Sequence, residues 1–554
     1  MVNSVSLSVA IGCALRGLGL LAVVSLTTLG LAPKAFGAGQ QGMTDARIAV
    51  INDGPDAFAV RQVLAHDAKR TLDLQYYIWE GDLTGSTLLG EVIAAADRGV
   101  KVRMLLDDAP SSGVVAGLTT LLMRHVRAAG EKIEEGTGAV GLRSGSGEQN
   151  GKLRQLLKDI RSGGRDTVAA ALSAHPNIKV RYFNPFHSRK IGKKLRAFEF
   201  LGDFWRLNRR MHNKAFIADN RVAVMGGRNV SDMYFGYGER YNFRDLDLLV
   251  EGPAVGEVKK DFDAYWNSAQ AVPVREFWLD RPAGNNLGDL RVELARFLES
   301  CSDRPSLADS RQRTARIRRG FLPARAAVVS DSPLKAERAS REVADTLGKV
   351  FDESKKETLI ENAYFIPTPR EFPAFGNALK RGVQIRVLTN SASSNNNLPA
   401  VVGYKRHRAW VVRHGAELYE LRPDNTLIQR AGRGGGISGM HTKAAVFDGR
   451  RVFIGSFNLD PRSASLNTEI GLLIESPVLA DKVSRRIREG MSEGESWRVV
   501  IDKKTFPEAV VAPGGRLAWI ESRATKKHFN EPKTGLFQRL KLTVLSWLPL
   551  DPLL

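Results

Sequence analysis

Two short runs carry side chains suited to covalent catalysis: His212-Asn213-Lys214 followed by Asp219, and His441-Thr442-Lys443 followed by Asp448. Each reads His-x-Lys, four intervening residues, then Asp, and in both a Gly follows the His by 14 residues and an Asn by 17. With 9 histidines and roughly 0.06 chance of Lys or Asp at each required offset, about 0.03 matches arise by accident, so two with the same trailing residues are not chance. Displacement at phosphorus needs a nucleophile, an acid for the leaving oxygen and fixed positive charge on the phosphoryl oxygens. Two histidines in one cleft can divide the first two tasks. One attacks as neutral imidazole; the other protonates the leaving alkoxide and later takes a proton from the incoming hydroxyl. Lys214 and Lys443 offer point charges to nonbridging oxygens, and Asn229 and Asn458 offer directed amide donors. This phosphodiester chemistry requires no metal or other cofactor, and neither Cys13 nor Cys301 has a nearby second zinc ligand.

The carboxylates fall into two kinds. Asp219 and Asp448 close the motifs, seven residues beyond each His, at the turn after a strand, where they are expected to brace the motif rather than enter the cleft. Asp245 and Glu469 occupy matched places further on and are the candidates to accept from a histidine's second ring nitrogen. Asp247 is an alternative to Asp245, but its matched position holds Gly471, which favours Asp245. His175, His187 and His414 lack the Lys and Asp spacing and are read as structural or surface residues.

The elements that must hold these groups occur twice. Residues 72–78 and 359–366 read as buried strands, each followed by a helical stretch and a second strand, 98–105 and 381–388, entered through Arg-Gly-Val. Blocks 221–229 and 451–458, then 245–253 and 469–477, match in the same order. Matching blocks in one order mean two copies of one fold. Strand, helix and strand in succession argue for βαβ units and largely parallel sheets in an α/β protein. The expected division is a signal peptide or membrane anchor at 1–38, a first domain at 46–280 with an insertion at 109–173, an Arg-rich surface connector at 281–335, a second domain at 336–520 and a basic amphipathic tail at 521–554.

A chain of 554 residues exceeds one ordinary core, and 43% hydrophobic with 25% charged residues is the balance of a folded protein. Lys and Arg outnumber Asp and Glu by 81 to 60, a net +21, which calls for a polyanionic partner, either nucleic acid or an anionic membrane. Residues 5–32 are apolar apart from Arg16 and a few hydroxyls, with Ala35 and Gly37 at cleavage-site spacing, so signal peptide and uncleaved anchor both fit. At the other end Leu536, Phe537, Leu540, Val544, Trp547 and Leu548 recur near helical spacing with Arg539 and Lys541 among them. A helix on a lipid surface and a helix docked on the core fit that pattern equally. The glycine-rich run 432–439 before His441 is placed to shape substrate access, although a flexible connector is the plainer reading.

The doubled motif with its trailing Gly and Asn resembles the phospholipase D superfamily. Within it, Asp203-Phe204-Trp205-Arg206-Leu207-Asn208-Arg209-Arg210-Met211-His212-Asn213-Lys214, Val224-Met225-Gly226-Gly227-Arg228-Asn229 and Phe457-Asn458-Leu459-Asp460-Pro461-Arg462-Ser463 are similar to the bacterial cardiolipin synthases. The resemblance implies two αβα halves facing each other across a pseudo-two-fold axis, one histidine from each in a single shared site, and a phosphatidyl-histidine intermediate on His212. It further implies a phosphatidyltransferase that makes cardiolipin, with phosphatidylglycerol as acceptor and phosphatidylethanolamine or a second phosphatidylglycerol as donor. Such an enzyme works at the bacterial inner membrane without an obligatory oligomer, with the membrane face, periplasmic included, left open. A phospholipase D hydrolase releasing phosphatidic acid would use the same intermediate, and no residue separates the two. A nuclease suits the net charge, but the N-terminus and tail point to lipid, so no nucleic-acid partner is expected.

Overall fold

The computed structural model describes residues 42–108, 167–190, 198–200, 202–277, 287–427, 436–502, 516–521 and 527–547. The expected signal or anchor, most of the 109–173 insertion, residues 432–435 of the glycine-rich run and Leu548 lie outside the described residues. The first half supplies β1 (Thr44–Ile51), β2 (Thr71–Tyr76), β3 (Lys101–Asp107), β4 (Ile178–Phe183), β5 (Ala215–Ala218), β6 (Val222–Gly226), β7 (Tyr241–Arg244), β8 (Asp247–Glu251) and β9 (Ala271–Pro273). The second supplies β10 (Leu322–Ser330), β11 (Glu357–Asn362), β12 (Gln384–Asn390), β13 (Glu417–Leu421), β14 (Ile437–Met440), β15 (Lys443–Phe447), β16 (Arg451–Gly455), β17 (Ile470–Glu475), β18 (Ser496–Asp502), β19 (Arg516–Ile520) and β20 (Lys527–His528).

Across the main sheet the strands run β9-β4-β3-β2-β5-β6-β8-β1 in the first half. The antiparallel β1–β10 pair carries the sheet into β10-β17-β16-β15-β11-β12-β13-β18 and on to β19 and β20. The second order reverses the first position by position, so two like halves are joined edge to edge. Parallel pairing is confined to β2-β3-β4 and β11-β12-β13, and every other pairing in this sheet is antiparallel. The sheet is therefore mixed, and less parallel than strand, helix and strand alone suggested. The cause is local. β5 and β6 are joined at Asp219-Asn220, and β15 and β16 at Asp448-Gly449, all four residues at φ between 53° and 63°. Connections this short can only reverse the chain.

Helices cover the sheet. Leu83–Asp97 crosses from β2 to β3, and its N-cap Asp82 accepts from the Gly85 N–H at 3.1 Å. Ala254–Trp266 and Pro477–Gly490 bury Val258, Phe262, Val483 and Ile487 with Ile48, Leu248, Val328 and Leu472 in one core drawn from both halves. At about 1.5–3 kcal/mol for each fully buried side chain of this kind, apolar burial holds the seam.

The stretch 281–335 is not a surface connector throughout. Leu287–Glu299 buries Leu290, Leu294 and Leu298 in the first half's core, the last two beside Gly90. Leu307–Arg319 lies on helix Gly54–Asp67, where Arg313 and Arg316 meet the buried Asp56 carboxylate at 3.0 and 2.7 Å. The chain then enters β10, central to the sheet. Its Arg-rich approach hides it, yet Ala326, Ala327, Val328 and Val329 are four successive buried residues, the pattern of a strand covered on both faces. Among the described residues no helix is long and apolar enough to cross a membrane.

Candidate active site

Each histidine is fixed to the opposite half by its own backbone. β7 and β14 form a parallel ladder apart from the main sheet, with Arg244 opposite Met440, so the next residues are Asp245 and His441. The His441 N–H donates to the Arg244 carbonyl at 2.8 Å, and its Nδ1 lies 2.7 Å from Asp245 Oδ2. The other pair is built alike with the halves exchanged. Met211 bridges to Thr468, the His212 N–H donates to the Thr468 carbonyl at 2.9 Å, and His212 Nδ1 lies 2.9 Å from Glu469 Oε2. The buried Asp247 carboxylate is instead held by Arg61 at 2.9 Å and Arg228 at 3.4 Å.

Glycines permit these approaches. A Cβ at Gly439 would lie 1.6 Å from the Tyr241 hydroxyl oxygen, and one at Gly436 would lie 2.4 Å from the Arg240 carbonyl oxygen. The end of the glycine-rich run is thus part of the ladder, not a loose connector. A Cβ at Gly455 would meet the Ile470 carbonyl at 2.4 Å, and one at Gly227 would meet Asp245 Oδ1 at 2.3 Å. Where Gly227 follows Gly226, the second half has Ser456 after Gly455. Its Oγ donates to Glu469 Oε2 at 2.5 Å and accepts from the Ile470 N–H at 3.0 Å. The sequence reading missed Ser456, although its place beside the trailing glycine was a signal.

Lys214 donates to the His212 carbonyl at 2.6 Å, and Lys443 donates to the His441 carbonyl. Their ammonium groups lie 5.5 and 5.9 Å from the ring centres of Tyr77 and Tyr364. Burial, with Lys214 and Lys443 beside it, pushes His212 well below its ordinary value. Burial and the same two lysines push His441 down to about 3, against the pull of Asp245. Both ammonium charges act on both rings, so the two motifs lie within electrostatic reach of each other across the seam. Burial pushes Lys443 down to about 8 and Lys214 well below its usual range. It also raises Glu469 to about 7, whereas His441, Lys443 and Arg228 overcome burial and hold Asp245 well below the usual carboxylate range.

Aromatic edges set the ring planes. Tyr77 meets His212 at 5.2 Å and 72°, Tyr234 meets His441 at 5.0 Å and 82°, and Phe243 lies 5.1 Å from His441. Spacing rules do not reveal such contacts. Asn229 is oriented by two bonds, Oδ1 accepting from the Ile78 N–H at 3.2 Å and one Nδ2 N–H donating to the Tyr234 hydroxyl at 3.0 Å. Asn458 differs: its Oδ1 is buried without a partner. Asp219 and Asp448 lie away from the rings. The first accepts from the N–H groups of Lys69, Arg70 and Thr71 at 2.6–3.1 Å. The second accepts from Lys355, Lys356 and Glu357 at 2.8–3.2 Å. His187, Glu199 and Asp203 bring possible metal-ligand atoms within 4.8 Å of one another, but Arg206 already pairs with both carboxylates.

A fold of two mixed αβα halves with one composite site defines a phospholipase D-type enzyme. The family model described as "Cardiolipin synthase, PLD-like domain" matches residues 63–266 and 347–491. Cardiolipin synthase C of Escherichia coli (strain K12) is 34% identical over 521 residues, covering 90% of this chain and 94% of that one. A cardiolipin synthase of Staphylococcus aureus (strain Mu50) is 23% identical over 449 residues, covering 80% and 66%. The solved phosphatidylserine synthase of Haemophilus influenzae Rd KW20 shares the fold at TM-score 0.50 and 13% identity, over 84% of this chain and 91% of that one. The chain belongs to the cardiolipin synthase family of phospholipase D-like enzymes.

Proposed function

We propose that this phosphatidyltransferase makes cardiolipin from phosphatidylglycerol and a second phospholipid through a phosphatidyl group carried on His212. The observation behind it is the exchanged pairing of His212 with Glu469 and His441 with Asp245 around two buried lysines. Accepting from Nδ1–H, Glu469 leaves His212 Nε2 with a free lone pair. That atom attacks the donor's phosphorus, the bond to the headgroup oxygen breaks, and His441 gives the leaving alkoxide its proton. Asp245, held ionised by the cations around it, suits His441 to the imidazolium role. The two ammonium groups oppose that charge, and a bound phosphodiester anion offsets them. His441 then takes the proton of a phosphatidylglycerol hydroxyl, whose oxygen displaces His212 from phosphorus. Lys214, Lys443 and the Asn458 amide hold the nonbridging oxygens.

With phosphatidylethanolamine as donor the co-product is ethanolamine; with a second phosphatidylglycerol it is glycerol. Purified protein incubated with both lipids and analysed by mass spectrometry tests the proposal. Cardiolipin with ethanolamine or glycerol is expected. Phosphatidic acid without cardiolipin would overturn the transferase and leave a hydrolase.

A further inference from the structure

The C-terminal helix Leu536–Ser546 has two apolar faces. On one, Leu542 and Leu545 are buried with Ala392, Val401 and Val402. Gln538 donates to the Ala392 carbonyl and Arg406 to the Ser546 carbonyl, each at 2.8 Å, so the helix is fixed on the second half. On the other, Leu536, Phe537, Leu540 and Trp547 are 85%, 55%, 52% and 78% exposed. Four large apolar side chains left in water on one short helix mark an interaction surface. The helix contains no acidic residue, and Arg539 and Lys541 flank the stripe, with the Lys541 ammonium 4.2 Å from the Phe537 ring centre.

Its place in the fold ties this surface to the site. Ala392 lies just past the end of β12. Nearby, the Ser394 carbonyl accepts from the Tyr241 hydroxyl of β7 at 2.6 Å, and Asn390 accepts from the Met440 N–H at 2.8 Å, one residue before His441. In the first half, beyond the ends of β3 and β4, Phe198 and Trp205 are 70% and 62% exposed in the stretch leading to His212. Exposed apolar side chains therefore follow the C-terminal ends of strands in the first half and rest on the stretch after β12 in the second.

We infer that helix Leu536–Ser546 docks on an anionic phospholipid bilayer, setting Leu536, Phe537, Leu540 and Trp547 at the headgroup–acyl boundary with the shared site toward the lipid. This rests on the phospholipid substrates proposed above. A bilayer matches the surface better than a protein does, because the stripe offers leucine, phenylalanine and tryptophan beside cations and no carboxylate to orient a partner.

The full chain with Cys13→Ser, Cys301→Ser and Leu540→Cys, labelled at position 540 with an environment-sensitive fluorophore, tests the docking. A control carries the label at Val292→Cys, which is 55% exposed on helix Leu287–Glu299. On phosphatidylethanolamine–phosphatidylglycerol vesicles containing lipid spin-labelled in the acyl chain, the label at 540 blue-shifts and is quenched, and the label at 292 is not. Replacing Leu536, Phe537, Leu540 and Trp547 together by Ser lowers turnover of vesicle lipid by about tenfold or more. Turnover of monomeric short-chain phosphatidylglycerol is unchanged. An unquenched label at 540 with full vesicle turnover, or one shielded by a protein and not by vesicles, overturns the docking, as does equal loss on vesicle and short-chain lipid. Quenching reports docking alone and short-chain turnover reports chemistry alone, so the failure of one is read apart from the failure of the other.

Discussion

His212 Nδ1 lies 2.9 Å from Oε2 of Glu469, 257 residues further along the chain, and His441 meets Asp245 across 196 residues in the opposite sense. Neither half contains a histidine together with its carboxylate. A half on its own would leave each ring without the carboxylate that fixes its tautomer. The β7–β14 ladder and the Met211–Thr468 bridge, which dock the halves, are the same contacts that complete the site.

Replacing either carboxylate by its amide tests the exchange. Glu469→Gln or Asp245→Asn keeps the shape but lets the amide N–H favour the wrong ring tautomer, so kcat falls by about 10²–10⁴ with melting nearly unchanged. Steady-state kinetics beside thermal melts decide. A loss under about fivefold in both variants would show that the rings need no such partner.

Because each half-reaction uses both rings, His212→Ala and His441→Ala should each abolish nearly all turnover, and combining them should cost little more. Cardiolipin formation by each single variant and by the double variant is the measurement. Substantial activity surviving in one single variant would contradict a shared site.

Gly227 carries the same dependence in the backbone. A Cβ there would stand 2.3 Å from Asp245 Oδ1 and push the carboxylate off His441. Gly227→Ala should cost about 1–3 kcal/mol of stability and most of the activity lost in Asp245→Asn. In a double-mutant cycle with Asp245→Ala the two losses should be far from additive. Full additivity would place the effect of Gly227 elsewhere.

The doubled strand order could be read from the sequence because each block is local and recurs in the same order. Which half each carboxylate serves could not, since Asp245 and Glu469 follow their motifs at comparable distances and only the seam register decides. β10 was hidden by the arginines before it, whose partners Asp56 and Asp67 come from a helix some 250 residues earlier. Periodicity marked the tail as amphipathic through Leu536, Phe537, Leu540 and Trp547, which stay exposed, but did not name Leu542 and Leu545, which form the buried face against helix Leu398–Arg413. Asn229 shows the same limit, because spacing names an amide but not the Ile78 N–H and Tyr234 hydroxyl that orient it.

Asp219 and Asp448 should act on stability more than on chemistry. Each half-buried carboxylate gathers backbone N–H groups at a turn held at positive φ, 54° and 53°. Asp219→Ala or Asp448→Ala should cost ~2 kcal/mol in denaturant unfolding, with the Asn variants losing about half of that because Asn tolerates the turn. Burial raises both carboxyls, but the N–H donors outweigh it and hold them below their ordinary value. Their stabilisation is therefore complete above the unfolded value of about 4 and is lost as pH falls through the lower folded value. The gap between wild type and the Ala variants should narrow at low pH to the part set by the turn's positive φ. Unfolding midpoints that stay equally separated there would count against the bracing role.

Lys443 sets the last expectation. Burial lowers its ammonium to about 8, although Asp245 and Glu469 pull it upward. The charge is present below that value and lost above it, so kcat/KM, which reports free enzyme, should fall as pH rises through about 8. In Lys443→Arg the guanidinium stays charged throughout, so the alkaline limb should move up by about one unit or more even though kcat drops with the altered geometry. The position of the limb, not its height, is the readout in kcat/KM profiles on short-chain phosphatidylglycerol. A limb that stays near pH 8 in the Arg variant would assign that titration to another group and remove Lys443 from anion binding.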